Sequence, residues 1–141
     1  MANISATLKA RVISRSQGYC EYCKSPADFA TEPFSIEHIM PRSKKGPDTA
    51  DNLAFACIGC NVYKSDMTEY IDVVSGNVTT LFNPRTMPWN DHFLWDETLT
   101  ALVGQTPVGR VTIEAIRLNR TPLKNLRRAL IAIGEHPPVL E

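Results

Sequence analysis

The stretch FSIEHIMPRSKKGPDTADNLAF, residues 34–55, lies between two Cys-x-x-Cys pairs: Cys20 and Cys23 in GYCEYCKSP, Cys57 and Cys60 in FACIGCNVYK. These pairs use all 4 cysteines of the chain. Four thiolates in duplicated short knuckles make a tetrahedral zinc knot. Such a knot has no open position for water or substrate, so this zinc is structural. The pairs are separated by 33 residues, more than a minimal zinc ribbon needs, and the insertion carries Glu37 and His38. Unrelated buried cysteines or a redox pair are the alternatives. Neither pair sits in the βαβ context that a thiol oxidoreductase would show.

Outward from the knot, local signals set the elements. Ser5 caps a helix to about Gln17, with Leu8 and Val12 on one face and Gly18 as its stop. Phe34 to Ile39 alternates and is rich in strand formers, and Pro41 ends it. Arg42 to Asp51 reads as a polar loop with a turn at Gly46-Pro47-Asp48. Leu53 to Ala56 is a second strand, and a helix runs from about Gly59 to Met67. Beyond Tyr70, Ile71–Val74 and Val78–Phe82 read as a hairpin around Ser75-Gly76-Asn77. A loop over Asn83–Pro88 leads to strands at His92–Trp95 and Leu99–Val103. Thr106-Pro107 and Thr121-Pro122 each signal a capped helix start, for helices at about 107–118 and 122–133, the second stopped by Gly134. The fold class is α+β.

The length of 141 residues suits about one domain, and 43% hydrophobic with 21% charged residues is an ordinary globular composition. No apolar run approaches the ~18–20 residues of a membrane span, and MANISATLKARV lacks a signal-peptide core. The expectation is a cytoplasmic protein with no membrane partner, where reduced thiols favour metal over disulfides. The net charge is zero, which counts mildly against a nucleic-acid binder. Its distribution matters more. Arg110, Arg117, Arg120, Lys124, Arg127 and Arg128 face one acid, Glu114, and Arg42, Lys44 and Lys45 follow the Glu-His pair. The C-terminal cluster reads equally as a phosphate grip or as a solvated helical surface.

Phosphodiester hydrolysis needs a base for water and a cation for the developing charge. An imidazole, titrating near ~6.5 in water, suits the first task, and His38 supplies one. Glu37 and Asn61 offer oxygen ligands, which favour Mg²⁺ or Mn²⁺. Neighbours on a strand face opposite ways, so both serve one site only near the strand end, which Pro41 makes plausible. The combination points to a metal-dependent nuclease.

IEHIMPRSKKGPDTADNLAFACIGCNVYK, residues 36–64, resembles the HNH endonuclease signature in its zinc-stabilised ββα-metal form. The resemblance covers Cys20 to about Lys64. It implies that His38 is the general base, that Glu37 and Asn61 hold the catalytic cation, and that Asn52 braces the loop positioning His38. Lys64, a turn past Asn61, is then a candidate phosphate contact. Two departures stand out. Asn61 replaces the final His, making an H-N-N variant, and Glu37 stands where Asp is commoner, one methylene longer. The tail resembles an extension of some small standalone HNH proteins. There Arg85 and His92 are best placed for phosphate, although His92, beside Trp89, Phe93 and Trp95, reads better as a satisfied, partly buried histidine. His136 reads as inert.

The resulting expectation is a single nuclease domain over 1–141, with an HNH core at about 5–70 and a C-terminal extension of short strands and two helices at about 71–141. It hydrolyses DNA, expected to be double-stranded, with structural zinc and catalytic Mg²⁺ or Mn²⁺. Arg42, Lys44, Lys45, Lys64 and Arg85 are its candidate nucleic-acid contacts. Cutting both strands requires a homodimer or successive nicks. The alternative is a non-catalytic zinc-stabilised nucleic-acid-binding module; the intact Glu37, His38, Asn52 and Asn61 set argues against it, because a pure binder has no chemical need of it. A structural protein-interaction domain is a third reading, weakly opposed by the basic residues beside His38.

Overall fold

The computed structural model describes residues 4–140; the outer limits of the expected domain, 1 and 141, lie outside them. Contacts divide the chain into two units, one running to Thr68 and including Asn83–Thr86, the other built from Glu69–Phe82 and the residues from Met87 onward.

The first unit begins with α1, Ala6–Ser16. Ser5 is extended and its hydroxyl accepts from Leu8 N–H at 3.1 Å, satisfying one of the donors that a helix start leaves orphaned. The helix ends at Gln17 in the left-handed region, followed by Gly18 at φ +83°. Its buried face carries Val12, which packs with Leu53 and Phe55; Leu8, Phe34 and Ile36 close around them. Strand β1, Ser35–His38, pairs antiparallel with β2, Leu53–Ala56, setting Glu37 opposite Ala54 and His38 opposite Leu53. All four residues of β2 are buried. Helix α2, Ile58–Lys64, is capped by the Cys57 sulfur, which accepts from Cys60 N–H at 3.4 Å. It stops short of Met67 because Ser65 turns to φ 50°, ψ −129°.

In the second unit, β3 is Glu69–Ile71 and β4 is Val78–Thr80. The hairpin expected at Ile71–Val74 is shifted toward the N-terminus. Asp72 N–H bonds Asn77 O at 2.9 Å, and the Asp72 carboxylate accepts from Ser75 N–H at 3.2 Å, so Asp72 opens the turn and Val73 and Val74 lie in it. A short helix, α3 (Trp89–His92), precedes β5 (Phe93–Trp95), which pairs with β6 (Leu102–Gly104). His92 therefore ends a helix rather than starting a strand. Helix α4, Pro107–Ile116, is capped by Thr106, whose hydroxyl accepts from Gly109 N–H at 3.0 Å. Gly109 is required by close approach, since a Cβ there would fall 2.1 Å from His92 O. Helix α5, Thr121–Ala132, departs from the second Thr-Pro signal: Arg120 takes the cap position, its side chain bonding Arg117 O rather than capping the helix, and Thr121 is already helical. Arg127 is 2% exposed. It donates to Thr100 O and Leu118 O, both at 2.8 Å, and lies 4.9 Å over Trp95. That fastening role replaces the phosphate grip as one reading of this residue.

Candidate active site and metal centre

The four cysteine sulfurs lie within 4.8 Å of one another, and Cys23 Sγ is 3.7 Å from Cys57 Sγ. Tetrahedral zinc with Zn–S near 2.3 Å sets its sulfurs about 3.8 Å apart, so the cluster fits zinc. Burial pushes the Cys20 thiol up, while hydrogen bonds from Cys20, Cys23 and Cys60 pull Cys57 far down. Several buried thiolates this close need a cation among them. The first knuckle is strapped to β2 on two sides: Glu21 N–H donates to Phe55 O at 2.9 Å, and Phe55 N–H donates to Glu21 Oε2 at 2.8 Å.

Glu37 and His38 take opposite faces of β1. Glu37 is 3% exposed. Tyr22 OH, from between the knuckle cysteines, donates to its Oε2 at 2.8 Å. Lys64 Nζ lies 2.6 Å from Oε1 and donates to His38 O at 3.2 Å and Ile39 O at 2.9 Å. Burial pushes the Glu37 carboxyl up, and the charge of Lys64 pulls it back. Oε1 has no aligned hydrogen-bond donor among the described residues. It is nonetheless the oxygen that faces the Lys64 ammonium at 2.6 Å, while Asn61 on α2, half-buried, carries an amide oxygen of the kind a hard cation takes. Such an ion must share Glu37 with Lys64.

His38 faces the loop side. Its Nε2 lies 2.6 Å from Asp48 Oδ1, with side-chain exposures of 12% and 26%. Arg42 Nε donates to the same oxygen at 3.2 Å. The loop between them is clamped by Asn52. Its Nδ2 donates to Met40 O at 3.0 Å and Pro47 O at 2.9 Å, its Oδ1 accepts from Met40 N–H at 2.8 Å, and its own carbonyl accepts from Ile39 N–H at 2.9 Å. Gly46 completes the bend, since a Cβ there would lie 1.7 Å from Met40 O.

Of the expected nucleic-acid contacts, Arg42, Lys44 and Lys45 are exposed on this loop. Lys64 is 1% exposed and its ammonium is engaged within the fold. Arg85 is 12% exposed and pairs with Glu21, and burial, then Arg15, bring its guanidinium down to about 10. Neither presents its charge to solvent as a phosphate ligand does. His92 Nδ1 lies 2.7 Å from Thr106 Oγ1, so this ring is hydrogen-bonded within the fold. His136, read as inert, is buried edge-on against Trp95 with Nε2 2.7 Å from Leu99 O. Sequence reasoning passes over Asp48 and Tyr22. Asp48 reads as a turn residue, and nothing local marks Tyr22 as reaching Glu37.

Residues 20–67 match the family of HNH endonucleases. They form an HNH endonuclease domain. The HNH domain thus spans the four-cysteine cluster, β1, the Asn52-clamped loop, β2 and α2, and it contains His38, Asn52 and Asn61. The chain is also similar to the type IV methyl-directed restriction enzyme EcoKMcrA of Escherichia coli (strain K12), 31% identical over 81 residues. That match covers 52% of this chain and 29% of the relative, so the chain spans under a third of the protein it matches. Among the described residues no helix is long and apolar enough to cross a membrane.

Proposed function

We propose that this protein is a divalent-metal-dependent endonuclease that hydrolyses phosphodiester bonds of double-stranded DNA. Its catalytic core is about residues 5–70, and residues 71–141 extend it within one nuclease domain. His38 is the general base that takes a proton from the attacking water. Asn52 holds the loop against which His38 works. Glu37 and Asn61 hold Mg²⁺ or Mn²⁺, which when bound supplies charge for the phosphorane and the departing oxygen. Arg42, Lys44 and Lys45 meet the phosphate backbone. The zinc and its reduced cysteines suit the cytoplasm. Cutting both strands calls on two copies or two successive nicks.

The observation that carries the reading is the Asn52 clamp beside His38. Three side-chain bonds spent on one loop make sense if the ring at its mouth must be held for chemistry. The restriction-enzyme relative supports DNA as the substrate. Plasmid cleavage measured with and without added Mg²⁺ or Mn²⁺ tests the proposal. His38→Ala should fold, keep its zinc and bind DNA, yet lose about 10²–10⁴-fold in turnover. Cleavage at the parental rate by that variant would reject the mechanism and leave the binding-module reading.

A further inference from the structure

We infer that Asp48 is the positioning residue of His38: it holds the imidazole as the Nε2–H tautomer and thereby makes Nδ1 the proton-accepting atom. The inference rests on the general-base reading and deepens it. Asp48 Oδ1 stands 2.6 Å from His38 Nε2. An ionised carboxylate only accepts, so the ring nitrogen facing it must carry the proton. The surroundings favour that ionised form: the hydrogen bond with His38, then the one from Arg42, hold the Asp48 carboxyl below the ordinary range. A neutral imidazole has one N–H, and placing it on Nε2 leaves the Nδ1 lone pair bare.

The contact is built rather than incidental. Asp48 is ten residues from His38 in the chain. It is brought back by the bend at Gly46, whose N–H bonds Pro41 O at 3.0 Å, and by Asn52, which holds Pro47 O immediately before Asp48. The pair is anchored at both ends, because Ile39 N–H bonds Asn52 O directly after His38. Fixed partners of this kind set which ring nitrogen a histidine uses.

The proton count closes. One proton leaves water for Nδ1 as the water oxygen bonds to phosphorus. The bond to the leaving oxygen breaks, and its electron pair departs with that oxygen. The imidazolium then carries N–H on both nitrogens, with its Nε2 side against the Asp48 carboxylate, which stabilises the charge.

The test uses the zinc-loaded full chain and has two readouts. Long-range ¹H–¹⁵N NMR of the histidines, at a pH where the ring is neutral, reports which nitrogen is protonated. Wild-type His38 should show protonated Nε2 and bare Nδ1, and Asp48→Ala should show a mixture. In plasmid cleavage Asp48→Ala should lower kcat by about 10–100-fold, a fraction of the ~10²–10⁴ worth of general base catalysis. KM should hardly move, and Asp48→Glu should recover part of the loss. A wild-type ring protonated on Nδ1, or an unchanged tautomer and kcat in Asp48→Ala, overturns this role while an inactive His38→Ala keeps the general-base reading alive. An active His38→Ala removes that reading and this role with it, whatever the tautomer.

Discussion

Lys64 and Glu37 are the pair through which the zinc knuckle, β1 and α2 meet at single-residue scale. Both are almost fully buried, at 1% and 3% exposure, and Tyr22 completes the set. Removing one partner of a buried pair strands the other charge, a cost of about 3–5 kcal/mol. Lys64→Met should therefore lower stability by about that amount in urea unfolding of the zinc-loaded protein. Adding Glu37→Gln to it should recover much of the loss, because no carboxylate is then left uncompensated. Added Mn²⁺ should stabilise Lys64→Met more than the parent, since a ligand that binds only the folded state shifts the equilibrium. Equal Mn²⁺ effects on both proteins would count against Glu37 as a cation ligand. The spacing of Lys64 from Asn61 suggests a phosphate contact when read alone. Helical spacing tells which face a side chain takes, and only the packing of α2 on β1 tells that this face is inside.

At the scale of elements, much was legible. The Ser5 and Thr106 caps, the left-handed turn before Gly18 and the two core strands follow from local chemistry, and they formed where the residues indicated. The β3–β4 turn did not, because its position is set by a distant partner. Arg110 on α4 donates to both Asp72 oxygens, at 3.0 and 2.9 Å, and draws Asp72 out of the strand into the turn. That pairing holds the Asp72 carboxyl below its ordinary range. An acid with a lowered folded pKa contributes stability above its unfolded value of about 3.9, and loses it as pH falls toward the folded value. Urea midpoints taken between about pH 6 and pH 2 should fall less steeply for Asp72→Asn than for the parent. Parallel curves would show that this pair does not fasten α4 to the hairpin.

For the whole molecule, a net charge of zero means that any hold on DNA comes from where the charges lie. The C-terminal arginines contribute less to such a surface than their number suggests, since Arg127 is buried on carbonyl oxygens and Arg110 is spent on Asp72. Lys44 and Lys45, on the loop that follows His38, are exposed and are the proposed contacts to test. Replacing both with Ser should flatten the salt dependence of DNA binding, by about 0.9 in log–log slope for each phosphate no longer neutralised. An unchanged slope in a titration of a short duplex would remove this loop from the interface.

The four-cysteine cluster, the order strand, loop, strand, helix, and the identity of the HNH signature were all present in the sequence. Each depends on spacing, capping or thiol chemistry over a few residues, and those rules act locally. The partners were not present there. Asp48 beside His38, Lys64 against Glu37, Glu21 against Arg85 and Arg127 over the Trp95 ring bring together residues 10 to 64 positions apart. A buried charge takes whichever partner the folded chain delivers, because leaving it unpaired is costly. Tertiary structure alone decides which cations remain on the surface to meet a phosphate.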